Sequence, residues 1–228
     1  MLRGVVLAAV ASAAVGVIGS AAASGPTVAQ IKAAIARHSD NFVLANAYAY
    51  GGHAAGHGWI DVKTGAGRWV SANGNLVSLE SVAPAPHDPT LVVVTDTSID
   101  YTTRTWYRTA SEESVKTARP QIVDPLAAAS AGVQFRILGV ESVDGRRTYH
   151  LRSSYFPDSA NESVRLDVWF STDHDYLIRY TRTTRGGNVI QRIDNHWLPR
   201  TSANLDRLTM AIPGRFKQVF DSPGPALA

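Results

Sequence analysis

From Trp59 to Trp197 the chain is cut into short runs rich in β-branched and aromatic residues, separated by glycine, asparagine and aspartate. The runs are Trp59–Lys63, Arg68–Ala72, Leu76–Val82, Leu91–Thr95, Arg104–Thr109, Val133–Val143, Arg146–Ser153, Val164–Phe170, Tyr176–Arg185 and Val189–Trp197. Turn chemistry recurs between them, at Gly51–Gly58, Thr64–Gly67, Asn73–Asn75, Asp144–Gly145, Asp173–Asp175 and Gly186–Asn188. Such spacing is the mark of an antiparallel meander of about ten or more strands, because short turns can join only neighbouring strands. Asp144-Gly145 is its sharpest signal, since only residues tolerant of positive φ fit a two-residue hairpin turn. Upstream, Phe42–Tyr50 alternates large side chains with Val43, Ala45, Ala47 and Ala49, which leaves one strand face nearly flat and open to a closely packed helix.

Helices are few. Thr27-Val-Ala-Gln30 reads as a capping box opening a helix from Val28 to about Arg37, with Val28, Ile31 and Ile35 on one face. Asp124, Pro125 and Gly132 bracket a second, and Ser202 begins a short third through Leu205 and Leu208. Met1–Ala23 has one positive charge, an apolar stretch and a small-residue end at Ala21-Ala22-Ala23, the signature of an export leader cleaved before Ser24. The expected organisation is a leader over residues 1–23, one domain over 24–220 and a loose tail over 221–228. There is no cysteine, so neither a disulfide nor an acylated lipid anchor is available, and the chain is expected to be exported (periplasmic or secreted) and free of a lipid anchor. Eighteen arginines and four lysines leave a net charge of only +3 with no basic run, which argues against a nucleic-acid partner.

Alternation along the strands predicts a sheet that is apolar on one side and wet on the other. Val164, Leu166, Val168 and Phe170 oppose Arg165 and Asp167; Tyr149 and Leu151 oppose His150 and Arg152; Phe135 and Ile137 oppose Gln134 and Arg136. In the first half, Ile60 and Val62 oppose Asp61 and Lys63, while Val77 and Leu79 oppose Ser78 and Glu80. A sheet this wide exposes more apolar surface than a few short helices cover while flat, so it must curl. The expected fold class is α+β, mostly β: a single large curved antiparallel sheet wrapped around two or three short helices.

In layout the chain resembles the lipoprotein-carrier superfamily, which includes LolA, LolB and the LppX-type lipid-binding proteins of actinobacteria. The resemblance rests on the leader, the first helix, two meanders about a mid-chain helix, and loose motifs at Asp100–Tyr107, Gly139–Leu151, Leu166–Arg179, Trp197–Arg200 and Ile212–Phe216. It implies that the curved sheet is an unclosed half-barrel whose apolar concave side, lidded by helices, holds acyl chains. The expected lining is Ile60, Val62, Val77, Leu79, Phe135, Ile137, Tyr149, Leu151, Leu166, Val168, Phe170 and Ile178. The implied partner is a lipid or acylated molecule, delivered by or to a membrane or lipoprotein.

Signals for chemistry are weak. His53 and His57 have helical metal-ligand spacing, but the glycines at 51, 52, 56 and 58 oppose a helix there. Asp173-His174-Asp175 reads as a hairpin tip rather than an acid–base group. No G-x-S-x-G elbow, cysteine nucleophile or phosphate loop is present. Glu112 and Glu113 read as a solvated face, and the tryptophans as packing or rim residues. No enzyme activity, metal or cofactor is expected. The alternatives are a sensor or protein-interaction domain with a filled core and, last, a histidine-based extracytoplasmic hydrolase.

Overall fold

The computed structural model describes residues 26–31, 41–115, 133–158, 160–173 and 176–219. Residues 28–31 form a helical turn, α1, opened by the expected capping box: the Thr27 N–H donates to Gln30 Oε1 at 2.7 Å and the Gln30 N–H donates to Thr27 Oγ1 at 3.3 Å. The strands are β1 (Phe42–Tyr50), β2 (His53–Asp61), β3 (Gly67–Ser71), β4 (Leu76–Pro84), β5 (Leu91–Asp100), β6 (Thr105–Ser114) and β7 (Phe135–Val143). They continue with β8 (Arg146–Ser153), β9 (Phe156–Pro157), β10 (Ser163–Ser171), β11 (Leu177–Thr184), β12 (Val189–Pro199) and β13 (Lys217–Gln218). A short helix α2 (Ser202–Leu205) runs into a 3-10 turn at Asp206–Leu208. The leader, the helix expected at Asp124–Ala131, His174, Asp175 and the tail lie outside the described residues.

Among the described residues the strands make one thirteen-stranded sheet in the order β13-β6-β5-β4-β3-β2-β1-β12-β11-β10-β8-β7, with β9 paired to β10. β7 and β13 are not paired with each other, so the sheet is unclosed, as expected. Two meanders are joined by the pairing of β1 with β12, in register from Phe42 opposite Pro199 to Tyr50 opposite Gln191. Asp144 and Gly145 both have positive φ, 51° and 76°, so the β7–β8 hairpin turns where the dipeptide required.

The register defines an inner face, the one α1 covers. Ile31, Leu151, Leu166, Val168, Phe170, Leu177, Tyr180 and Ile193 are buried together there, with Val28, Phe135, Tyr149 and Tyr48 packed against them. α1 therefore sits on the large-side-chain face of β1. The flat alanine face is turned the other way, and Ala47 is exposed.

Three expectations change. Residues 53–58 are not a loop: β2 begins at His53, and the chain reverses at Gly51 and Gly52 alone, with φ of 54° and 83°. β6 runs on through Glu112 and Glu113 to Ser114, so those carboxylates are on a strand. The sheet is also not uniformly apolar on one side. Val77 pairs with Val70 and Ile99, and Leu79 with Arg68 and Thr97, on the outer face. They are sheltered because the C-terminal segment crosses that side. The 3-10 turn lies against β2 and β3, Arg68 Nη1 donates to the Arg207 carbonyl at 3.4 Å, Phe216 packs edge-on against Tyr101, and β13 pairs with β6 in parallel.

Candidate functional site

On the inner face, where α1's core ends, Tyr48, Tyr50, Trp69, Leu76 and Ser78 line a mostly apolar cavity of ≈ 180 Å³. It exists because of glycines that sequence reading assigns to a turn. Trp69 points inward from β3, and its indole lies flat across Gly58 and Gly67, where any β-carbon would collide with the ring. At Gly56 a β-carbon would meet the Val70 carbonyl oxygen. The glycines here allow close approach rather than reversal. Burial raises the Tyr48 pKa, against a hydrogen bond with Trp69 that lowers it. Burial raises that of Tyr180 as well, with Tyr50 and Tyr48 adding to the effect. Both phenols are therefore neutral; Tyr48 borders the cavity and Tyr180 belongs to the core cluster next to it in the sheet. Asn46 and Asn195, paired across β1 and β12, are buried on the same face, and neither Oδ1 has a hydrogen-bond partner among the described residues.

The residues expected to line a cavity are dispersed. Leu151, Leu166, Val168 and Phe170 meet, with Tyr149 and Phe135 beside them, in the buried cluster that includes Ile31 of α1. Ile178, at a bulge in β11, is buried. Ile60 and Val62 face inward at the far end of β2, Val77 and Leu79 face outward, and Ile137 is exposed on the edge strand β7. None of them borders the ≈ 180 Å³ cavity. What the pattern hid was Trp69 and Tyr48: an aromatic run flanked by glycines was the available signal.

Further along the inner face the surface turns acidic. Glu80 pairs directly with Asp96, and Glu113 shares their face from β6. Burial, then the charges of Asp96 and Glu113, raises the Glu80 pKa; burial, then Glu113, raises that of Asp96. A carboxyl whose folded pKa is raised penalises the fold when ionised, and the penalty fades as pH falls through the folded value toward the unfolded one. Glu80→Gln is therefore expected to raise Tm by about 2 °C at pH 8, with the gain gone at about pH 4, measured by thermal melts at matched ionic strength.

The outer face of the second half is a polar network. His150 stacks on Trp169, with ring centroids 4.5 Å apart. Its Nδ1 is 3.0 Å from Glu141 Oε1 and its Nε2 2.7 Å from Asp167 Oδ1. Trp169 Nε1 donates to the same Glu141 oxygen. Asp167, nearly fully buried, also accepts from Arg152 Nε at 2.6 Å. The second buried acid, Asp61, is held by both arms of Arg200 at 2.8 and 2.9 Å and by the Thr64 hydroxyl at 2.7 Å. This pair ties the end of β2 to the exit of β12. Among the described residues no three His, Asp or Glu side chains converge as a metal site would require. His57 packs edge-on against Trp59, and no described helix is long and apolar enough to cross a membrane.

No protein-family model and no curated protein matches the sequence. Solved structures do. LppX, a lipoprotein of Mycobacterium tuberculosis, matches at 14% identity over 82% of this chain and 100% of its own, with a TM-score of 0.35. LprF of Mycobacterium bovis matches at 15% identity over 82% of this chain and 93% of its own, TM-score 0.39. The Pseudomonas aeruginosa MucA/MucB complex matches at 11% identity over 79% of this chain and 60% of the matched chain, TM-score 0.40. This chain thus spans about three fifths of that last relative. Identities and TM-scores this low transfer no ligand and no partner. The chain is similar, at low identity, to LppX and LprF, the first of which gives its name to the LppX-type proteins whose layout the sequence resembles.

Proposed function

We propose that this protein is an exported carrier that shields an acyl chain or other apolar group in its half-barrel, binding and releasing it without chemistry. The observation that carries the reading is the apolar cavity between Tyr48, Tyr50, Trp69 and Leu76 on the inner face, on the same face as the buried core cluster. Each methylene moved from water into it contributes roughly 0.8 kcal/mol. A cavity of ≈ 180 Å³ is smaller than the 300 Å³ or more of common ligand sites, so it fits the end of a chain or a ring rather than a whole lipid. The neutral Tyr48 phenol lies in the cavity wall as a hydroxyl donor.

Native mass spectrometry of the protein purified from its own host should find a co-purifying apolar molecule. Titration with cis-parinaric acid, a fluorescent fatty acid, should give saturable binding, and Ser78→Trp, which fills the cavity, should weaken it at least tenfold. Binding unchanged in that variant, or none to begin with, sinks the proposal. A second reading, an interaction domain on the same scaffold, draws on the edge strand β7, where Ile137, Leu138 and Val140 are exposed. A stoichiometric complex with another envelope protein, lost on Val140→Lys and formed without lipid, would favour it.

A further inference from the structure

The outer face carries a second cavity, of ≈ 360 Å³, at the ends of β7, β8 and β10, and its lining is basic where the first is apolar. Arg136, Arg152, Arg165, Gln134, Ser154 and Tyr155 surround it. The sheet register explains the convergence. Arg136 stands directly opposite Arg152, Arg152 stands opposite Asp167, and Arg165 precedes Asp167 by two residues on the same face. Like charges placed directly opposite on adjacent strands destabilise a sheet, so this arrangement has a cost in the free protein.

The one carboxylate beneath does not cancel it. Asp167 takes Arg152 Nε at 2.6 Å and His150 Nε2 at 2.7 Å, and Arg165 Nε comes only to 3.4 Å. That last nitrogen is buried and makes no hydrogen bond. Arg136 is exposed and has no ion-pair partner among the described residues. A fourth guanidinium adds to the field: Arg185 and Arg165 both lie against the Tyr155 ring, 5.1 and 5.6 Å from its centroid. Arg165 Nη1 also reaches the Tyr155 hydroxyl at 3.3 Å. Asp158, in the turn before β10, is taken by Arg182 at 2.6 Å.

We propose that this basic cavity is a binding site for a phosphate-type oxyanion, held by the guanidiniums of Arg136, Arg152 and Arg165. Guanidinium forks match phosphate oxygens in pairs. Forks arriving from three strands suit a tetrahedral anion, whereas a planar carboxylate presents only two oxygens. The site is independent of the apolar cavity, since it lies on the opposite face and shares no lining residue with it. The phosphate has two possible sources, a soluble phosphorylated molecule or the headgroup of an anionic phospholipid.

The test uses the full chain, with phosphate and acetate compared at matched ionic strength. Inorganic phosphate should bind saturably by isothermal titration calorimetry and raise Tm, acetate should do so at least tenfold more weakly, and added chloride should weaken the binding. Arg136→Glu should weaken phosphate binding at least tenfold while leaving cis-parinaric acid titration unchanged. Arg136→Gln, which adds no charge, serves if that variant does not fold. Flotation with phosphatidylglycerol vesicles, against phosphatidylcholine controls, separates the sources: capture lost in Arg136→Glu assigns a headgroup, and phosphate binding without vesicle capture assigns a soluble ligand. The proposal falls if neither phosphate nor phosphatidylglycerol vesicles bind, if acetate binds as tightly as phosphate, or if the Arg136 variants bind as the wild type does.

Discussion

Phe170→Ala is expected to destabilise the protein by about 4 kcal/mol, enough to unfold a marginal domain at physiological temperature. Phe170 has no exposure and sits in the cluster of Leu151, Leu166, Val168 and Ile193 that α1 covers through Ile31. Removing the ring leaves a void that strands fixed by ladders on both sides cannot close, so the cavity cost adds to the lost transfer energy. Urea unfolding followed by circular dichroism measures it. A loss under 1 kcal/mol would mean that the core relaxes around the gap and is far less rigid than its packing implies.

Asp61→Asn should cost about 3 kcal/mol near neutral pH. The substitution keeps the shape and removes the charge that both arms of Arg200 grip. The Asp61 side chain is 3% exposed and that of Arg200 29%, so the orphaned guanidinium reaches some water and the loss lies at the lower end for buried pairs. Burial acts to raise the Asp61 pKa, but the hydrogen bonds from Arg200 and Thr64, the Arg200 charge and the Lys63 N–H together set it below the ordinary value. The pair's contribution is accordingly present above the unfolded carboxylate value, about 3.9, and is lost as pH falls through the folded one. Chemical unfolding of the wild type and the variant at pH 7 and at about pH 3 should show the difference narrowing. A difference independent of pH would place the effect in packing instead.

The two acid effects run in opposite directions. Lowering pH from neutrality first relieves Glu80 and Asp96, whose folded pKa values are raised, and only later releases Asp61, whose value is lowered. Maximum stability is therefore expected on the mildly acidic side of neutral.

Legibility in the sequence followed the range of the interaction. The capping box at Thr27, the hairpin at Asp144-Gly145 and the alternation of Val164 to Phe170 depend on neighbours a few residues away, and each is found where its residues require it. The glycines between 51 and 58 misled because a turn glycine and a close-packing glycine look the same locally. The difference lies with Trp69 on the next strand, which covers Gly58. Alternation puts Val77 and Leu79 among the apolar set of β4, but it fixes only that the two share a side. Which side is core depends on what lies across it, and the C-terminal segment around Asp206–Leu208 covers the outer one.

Neither candidate site was readable for the same reason. Arg136, Arg152 and Arg165 fall on three strands and meet through pairing register, and Tyr48 and Trp69 meet across β2. By itself, then, the sequence determined most of the long strands, the Asp144-Gly145 hairpin, the start of α1 and the need of so wide an apolar sheet to curl, because period, cap and turn chemistry act within a few residues. The tertiary structure alone decided which face is buried in each half, where the sheet leaves space and which charges stand together, because those depend on contacts between residues far apart in the chain.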